Sequence, residues 1–190
     1  MNHNSARVSP EEAARLLACD SALASFSLSD ARYVLTYMRS MRVAQDTVLI
    51  REGQQARSDF MMLILQGDVS VESQTPGSRE SLIMSIIGAG HMIGEMSMFD
   101  DGPRAATCTA VTELAVAVLS RTALMRLLKE RPEVGVRFML AMSKRLSDRL
   151  RDANQKLRTY VSLTKALQQE VHALMDGESS ASAGRVRATA

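Results

Sequence analysis

Residues 93–107 carry the side chains best suited to chemistry. Gly94 and Glu95 open this stretch, and Arg104 stands between small residues near its end. Arginine presents a planar fork of donors that matches phosphate oxygens, and a carboxylate accepts hydrogen bonds from sugar hydroxyls. Backbone N–H groups of a short helix start, around Met96 to Met98, add partial positive charge. Together these groups predict a site for a small anion that carries hydroxyls.

The elements around this stretch follow a two-residue hydrophobic period and are separated by turn residues such as Glu52-Gly53 and Gln66-Gly67-Asp68. Many short strands at regular spacing are typical of an antiparallel sandwich or barrel. The predicted strands lie around Val43 and at Thr47–Ile50, Phe60–Leu65, Val69–Val71 and Leu82–Ile87, with two more between Thr107 and Leu119.

Helices are predicted on both sides of the strands. Ser9 before Pro10 is a favourable N-cap for a helix that runs to about Ala18. A second helix is expected to start at Ser29-Asp30. After the strands, Ser120 can cap a short helix that ends at Arg131-Pro132.

A long helix is expected from about Glu133 to Asp176, followed by a polar, flexible tail from Gly177. Such a helix would extend roughly 60 Å, so we expect its apolar stripe to be buried in a parallel homodimeric coiled coil. The alternative is that the stripe folds back on its own domain. The stripe follows an a/d heptad pattern and comprises Leu146, Leu150, Ala153, Leu157, Tyr160, Thr164, Leu167, Val171 and Leu174.

Composition narrows the class of protein. The 190 residues suffice for one domain with extensions, and a net charge of +2 permits anionic partners without requiring them. Cys19 and Cys108 form no CxxC pair, so neither a metal site nor a disulfide framework is expected. No apolar run has the length of a membrane span, and no signal peptide is evident. We therefore expect a cytoplasmic protein without membrane contact.

The ordered set Gly94-Glu95, Ser97 and Pro103-Arg104-Ala105-Ala106-Thr107 resembles the phosphate-binding cassette of the cyclic-nucleotide-binding domain family. That family includes the catabolite activator protein and the regulatory subunits of cAMP-dependent protein kinase. The resemblance implies a mainly β fold, a double-stranded β-helix (jelly-roll) barrel with N-terminal helices and a long C-terminal dimerisation helix. The expected organisation is an N-terminal tail and helix (1–20), the barrel with flanking helices (21–132), the dimerisation helix (133–176) and the tail (177–190).

The resemblance also implies roles for single residues. Arg104 would pair with the cyclic phosphate, and Glu95 would accept a hydrogen bond from the ribose 2′-hydroxyl. Gly94, Met96 and Ser97 would contribute mainly backbone N–H groups. The small side chains of Ala105 and Ala106 would let the backbone approach the ligand, and Ala105 occupies the position where cGMP-selective relatives often carry Thr. The implied ligand is therefore cAMP, with no other cofactor.

The position that would read the base departs from the family. On the long helix, Arg149 and Leu150 stand where the catabolite activator has a Thr-Ser pair. Arg149 can stack on a purine or hydrogen-bond to it, and it is equally consistent with a solvated helix face. Acidic residues interleave with the basic residues of this helix, which favours a solvated face over a nucleic-acid-binding stripe.

We therefore expect a non-enzymatic cAMP sensor that acts through ligand-dependent conformational change and an unknown downstream protein. Relatives that regulate transcription carry a helix-turn-helix after the long helix. Too few residues remain here for one, so direct DNA binding is not expected. Two alternatives stay open: a cyclic di-GMP-binding effector on the same fold, and a dimeric adaptor that binds no nucleotide. An enzyme is the least favoured alternative, because no nucleophile–base pair is visible.

Overall fold

The structure is a computed structural model that describes residues 8–55, 60–74, 81–100 and 102–186, with side chains described up to Glu170 and at His172. It contains two compact units, Met1–Arg145 and Leu146–Ala190. Each unit is described separately below.

Two short helices open the first unit. Helix α1 (Pro10–Leu17) begins after Ser9, whose hydroxyl accepts a hydrogen bond from the Glu12 N–H at 3.1 Å. This confirms the predicted N-cap, because a Ser oxygen satisfies an N–H that lacks a partner within the helix. Helix α2 (Leu28–Leu35) is capped by Ser27 and so begins one residue before the predicted start.

In the part of the chain that the structure describes, eight strands form two antiparallel four-stranded sheets, as expected for the jelly-roll barrel. The strands are β1 (Arg39–Val43), β2 (Val48–Ile50), β3 (Phe60–Gln66), β4 (Val69–Gln74), β5 (Ser81–Ile87), β6 (Met92–Ile93), β7 (Thr107–Ala110) and β8 (Leu114–Ser120). One sheet has the order β1-β8-β3-β6, and the other has the order β2-β7-β4-β5. The edge strand β6, which has only two residues, was not predicted, because two residues are too few to show a hydrophobic period.

Strand β3 connects the two hydrophobic cores of the unit. Met62 and Ile64 point into the core between the sheets, and Met61 and Leu63 point into the core beneath the helices. Successive side chains of a strand point to opposite faces. Because both faces of β3 are covered, its sequence is a continuous apolar run instead of an alternating pattern.

Three helices complete the chain: α3 (Ser97–Asp100), α4 (Arg121–Glu130) and α5 (Pro132–Val186). Ser120 caps α4, as predicted, through a hydrogen bond from the Ala123 N–H to its hydroxyl at 3.2 Å. Helix α5 begins one residue before the predicted start and continues ten residues past the predicted end at Asp176. Residues 177–186 are therefore helical, and residues 187–190 of the expected tail lie outside the described part.

The first turns of α5 are attached to the α1–α2 region by polar contacts. The Arg137 guanidinium donates two hydrogen bonds of 2.7 Å to the Asp30 carboxylate. Arg145 donates to the backbone carbonyls of Ser21 and Ala22. The Asp30 side chain is only 9% exposed, and the hydrogen bond from Arg137 holds the pKa of that carboxyl below its usual value. Residues 132–145 thus belong to the first unit, beyond the predicted boundary at 132/133.

Within the described residues, no helix combines the length and the apolar character that crossing a membrane requires. The same residues contain no group of three or more His, Cys, Asp or Glu side chains that could hold a metal ion.

Candidate functional site

A tight turn joins strand β6 to helix α3 and begins the stretch singled out in the sequence. Gly94 adopts φ +75°, a left-handed conformation that side chains other than Gly rarely adopt. A Cβ at this position would lie 2.9 Å from Arg104 Nη1 and 3.0 Å from the Phe60 carbonyl oxygen. The glycine therefore permits both the turn and the close approach of Arg104.

Arg104 lies at the centre of the site and is only 6% exposed. Its Nη1 donates to the carbonyl oxygens of Gly94 at 2.9 Å and Phe60 at 3.1 Å. The guanidinium carbon also lies 4.5 Å from the centroid of the Phe60 ring, a cation–π distance. These contacts fix the plane of the guanidinium.

The backbone of Arg104 is fixed as firmly as its side chain. Its N–H donates to the Gln54 carbonyl at 3.1 Å, and its own carbonyl accepts from the Gly53 N–H at 2.8 Å. This pairing joins the cassette to the turn after β2. Arg104 is therefore positioned by two segments that lie far from it in the sequence.

Glu95 and Ser97 are buried on the other side of the turn, at 2% and 3% exposure. The Ser97 hydroxyl donates to the Gly94 carbonyl at 3.4 Å, and the Met98 N–H donates to the Glu95 carbonyl at 3.1 Å. A carboxylate and a guanidinium are thus both withdrawn from water within one short stretch. Burying charge costs free energy unless polar partners compensate, so the site is organised for polar groups.

Seven of the eight predicted ligand residues belong to the first unit and lie in or near this stretch. Hydrogen bonds to the Gly94 carbonyl join Gly94 with Ser97 and Arg104. Glu95 is buried next to Gly94 in the chain, and the adjoining positions are more open. Arg149 is exposed and belongs to the second unit, and its role at the base stays a prediction. The open positions are Met96, which is 44% exposed, exposed Ala105 and half-buried Ala106.

Two residues that contact the site, Phe60 and Arg121, were not identified from the sequence. Phe60 was expected only as a strand residue, and Arg121 only as the residue after a helix cap. The Arg121 Nη2 donates to the Ser97 carbonyl at 2.9 Å. Spacing gives no signal for either contact, because each crosses from one element to another.

Comparison with known proteins identifies the domain that contains these residues. The family model described as "Cyclic nucleotide-binding domain" matches residues 40–131, and this range includes the whole site around Arg104. The chain belongs to the cyclic nucleotide-binding domain family. The cassette predicted from residues 94–107 is thus embedded in the domain in which such cassettes occur, and the fold expected from the resemblance is confirmed.

Relatives of the same family are found among regulators. The chain is 34% identical over 88 residues to the CRP-like cAMP-activated global transcriptional regulator of Mycobacterium tuberculosis, a match that covers 46% of this chain and 39% of that protein. It is 33% identical over 91 residues to the cAMP-dependent protein kinase regulatory subunit of Yarrowia lipolytica, covering 48% of this chain and 23% of that one. The chain thus spans well under half the length of these two relatives.

Solved structures show the same fold. A cyclic nucleotide-binding domain from Methylobacillus flagellatus has a TM-score of 0.67 and 33% identity, covering 77% of this chain and 81% of that chain. The catabolite activator protein of Thermus thermophilus has a TM-score of 0.62 and 22% identity, covering 78% of this chain and 62% of that chain. The second likeness concerns the fold alone.

Proposed function

We propose that the chain is a non-enzymatic sensor that binds a cyclic nucleotide, with cAMP preferred, in the cassette between Gly94 and Thr107. The observation that carries this proposal is the buried Arg104, whose guanidinium is held by the Gly94 and Phe60 carbonyls. A fixed guanidinium binds a phosphate with little loss of conformational entropy. Family membership supports the same ligand class.

The roles of the cassette residues follow from their chemistry. Arg104 pairs with the cyclic phosphate, which accepts hydrogen bonds from a planar fork of donors. Glu95 accepts a hydrogen bond from the ribose 2′-hydroxyl, and the open backbone at Ala105 and Ala106 lets the phosphate approach. A methyl group at Ala105 offers no hydroxyl to a guanine, which favours cAMP.

The second unit supports a homodimer. Leu150, Leu157 and Leu167 are each at least 60% exposed in the single chain. They recur at spacings of seven and ten residues, which places them on the a/d seam of a heptad pattern. A second copy of the chain would bury this seam in a parallel coiled coil. The output is then a ligand-dependent change in the dimer that a downstream protein reads.

Calorimetry with cAMP, cGMP and cyclic di-GMP tests the ligand. We expect the wild-type chain to bind cAMP most tightly. Arg104→Lys, which keeps the charge and loses the fork, should weaken binding about 10- to 150-fold, the equivalent of one hydrogen bond to a charged group. Arg42→Lys is the matched control, because Arg42 is an exposed arginine on β1 that pairs with Glu113 at 3.1 Å.

Two results would overturn the proposal. One is the absence of cAMP binding by the wild-type chain at about 0.1 mM, which corresponds to a binding free energy weaker than about 5.5 kcal/mol. The other is an Arg104→Lys variant that binds as tightly as the Arg42→Lys control. Tighter binding of cyclic di-GMP than of cAMP would move the assignment to the dinucleotide effector.

A further inference from the structure

Arg121 connects the candidate site to the helix that follows the barrel. It is the first residue of α4 and directly follows β8, the strand that pairs with both β1 and β3. Its Nη2 donates to the Ser97 carbonyl at 2.9 Å. A residue anchored on a central strand thus reaches into the turn that carries Glu95.

The Ser97 carbonyl belongs to a segment that is too short to form a stable helix by itself. Helix α3 has only four residues, and a single turn of helix is unfavourable in isolation. Within the turn, the Phe99 N–H donates to the Met96 carbonyl at 2.9 Å and the Met98 N–H donates to the Glu95 carbonyl at 3.1 Å. The hydrogen bond from the charged Arg121 side chain therefore contributes substantially to the conformation of this turn.

We propose that Arg121 is a positioning residue that keeps the cassette turn in its nucleotide-ready conformation and links that conformation to α4. The inference rests on the proposed function, since it concerns the same site. A ligand that requires an ordered turn binds with an affinity reduced by the fraction of molecules in which the turn is ordered. Arg121 raises that fraction in the nucleotide-free protein.

The link acts in both directions. If the ordered turn favours the Arg121–Ser97 bond, then nucleotide bound at the turn stabilises the start of α4 by the same factor. Helix α4 ends at Glu130, one residue before Arg131 and the start of α5 at Pro132. Arg121 therefore gives the cassette a physical connection to the helices that follow it.

Arg121→Met in the full chain tests the proposal, because it keeps most of the side-chain length and removes every donor. Arg126→Met is the matched control on the same helix. Arg126 contacts the Tyr37 ring at 5.0 Å and lies 3.8 Å from Glu130, away from the cassette. A lost hydrogen bond from a charged group predicts about a tenfold rise in the Kd for cAMP in Arg121→Met.

Two amide-exchange measurements separate positioning from general stability. Without nucleotide, the amides of Met98 and Phe99 should exchange about tenfold faster in Arg121→Met than in the control. On addition of cAMP, the amides of residues 123–127 should become more protected in the wild type and in the control. That gain should disappear in Arg121→Met.

Equal exchange at Met98 and Phe99 in the two methionine variants overturns the proposal, as does an unchanged gain of protection at residues 123–127. If Arg121→Met does not fold, Arg121→Lys decides the question. Because lysine offers a single ammonium, the Met98 and Phe99 amides should exchange faster in Arg121→Lys than in the wild type. Wild-type exchange of these amides in the lysine variant would contradict a role for the guanidinium. A wild type that binds no cAMP overturns the proposed function instead, and nucleotide-free exchange then decides the Arg121 contact by itself.

Discussion

Replacing Gly94 with alanine tests whether the cassette depends on the close approach of Arg104. The structure supplies a matched control, because Gly53 has nearly the same backbone conformation. The φ angles are +75° at Gly94 and +73° at Gly53. A Cβ at Gly94 would lie 2.9 Å from both Arg104 Nη1 and Ile50 Cδ1, whereas a Cβ at Gly53 would meet none of the described residues within 4 Å.

The expected magnitudes follow from this difference. Both alanines incur the cost of a left-handed conformation, about 1–2 kcal/mol. Both recover about 0.4–1 kcal/mol, because alanine restricts the unfolded chain. Only Gly94→Ala adds the cost of overpacking, about 1–3 kcal/mol. Gly94→Ala should therefore lower the free energy of unfolding by about 1–3 kcal/mol more than Gly53→Ala does.

Urea unfolding followed by circular dichroism measures this difference, with the slope of the transition compared between variants to confirm that the same surface unfolds. Calorimetry adds the functional readout. Arg104 Nη1 must move to accommodate the new methyl group, so Gly94→Ala should also bind cAMP at least about tenfold more weakly. Equal stability of the two alanine variants would show that the Gly94 contacts do not constrain the site.

Four further outcomes are expected. Asp30→Asn should destabilise the chain by about 1–2 kcal/mol through its bond with Arg137, whereas Glu11→Gln, in an exposed pair, should cost under about 0.5 kcal/mol in the same urea assay. Because folding lowers the pKa of Asp30 from 3.8, the stabilisation that its carboxylate gives the folded chain is complete above pH 3.8. That stabilisation is lost as the pH falls through the lower pKa of the folded state. Urea unfolding of the wild type and Asp30→Asn between pH 6 and pH 2.5 measures this loss. Leu157→Lys should sediment as a monomer at concentrations where the wild type is a dimer, since an unpaired charge in the seam is costly. Ala105→Thr should raise the affinity for cGMP relative to cAMP in competition calorimetry, and an unchanged ratio would remove Ala105 from the specificity argument.

Much of the fold could be predicted from the sequence because its signals are local. A Ser before a Pro and two acids specifies the start of α1, and the alternating or continuous apolar runs specify the strands. The ordered residues from Gly94 to Thr107 predict a cassette for the same reason, since its proposed ligand groups lie within one short segment. Capping chemistry located α4 correctly from Ser120 alone.

The end of α5 was less predictable. Gly177 and the small polar residues after it have weak helix propensity and indicated a tail. The structure nevertheless continues the helix to Val186. Propensity is a weak guide to the end of a helix, because the neighbouring turns of an established helix lower the cost of adding further residues.

The support around the site could not be predicted, because the acceptors that hold it are backbone carbonyls. Arg104 and Arg121 donate to the carbonyls of Phe60, Gly94 and Ser97. Ser21 donates to the Gly90 carbonyl just before β6, at 3.1 Å. Every residue has a carbonyl, so the identity of the acceptor residue carries no information about these bonds.

The position of such an acceptor is set by the fold, and its donor is visible in the sequence only as one arginine or serine among many. Substitutions of the donor residue and of the acceptor residue therefore have different effects on such a hydrogen bond. Replacing the donor Arg121 removes its bond to Ser97, whereas replacing the Ser97 side chain leaves the acceptor in place. Variants of the donors are therefore the informative ones, and the charged donors contribute most because hydrogen bonds from charged groups are about twice as strong as neutral ones. Arg104 donates to the Gly94 carbonyl and Arg121 donates to the Ser97 carbonyl, so both charged donors act on the turn that begins at Gly94. Under the proposed function, this turn is where ligand binding would be coupled to the position of α4.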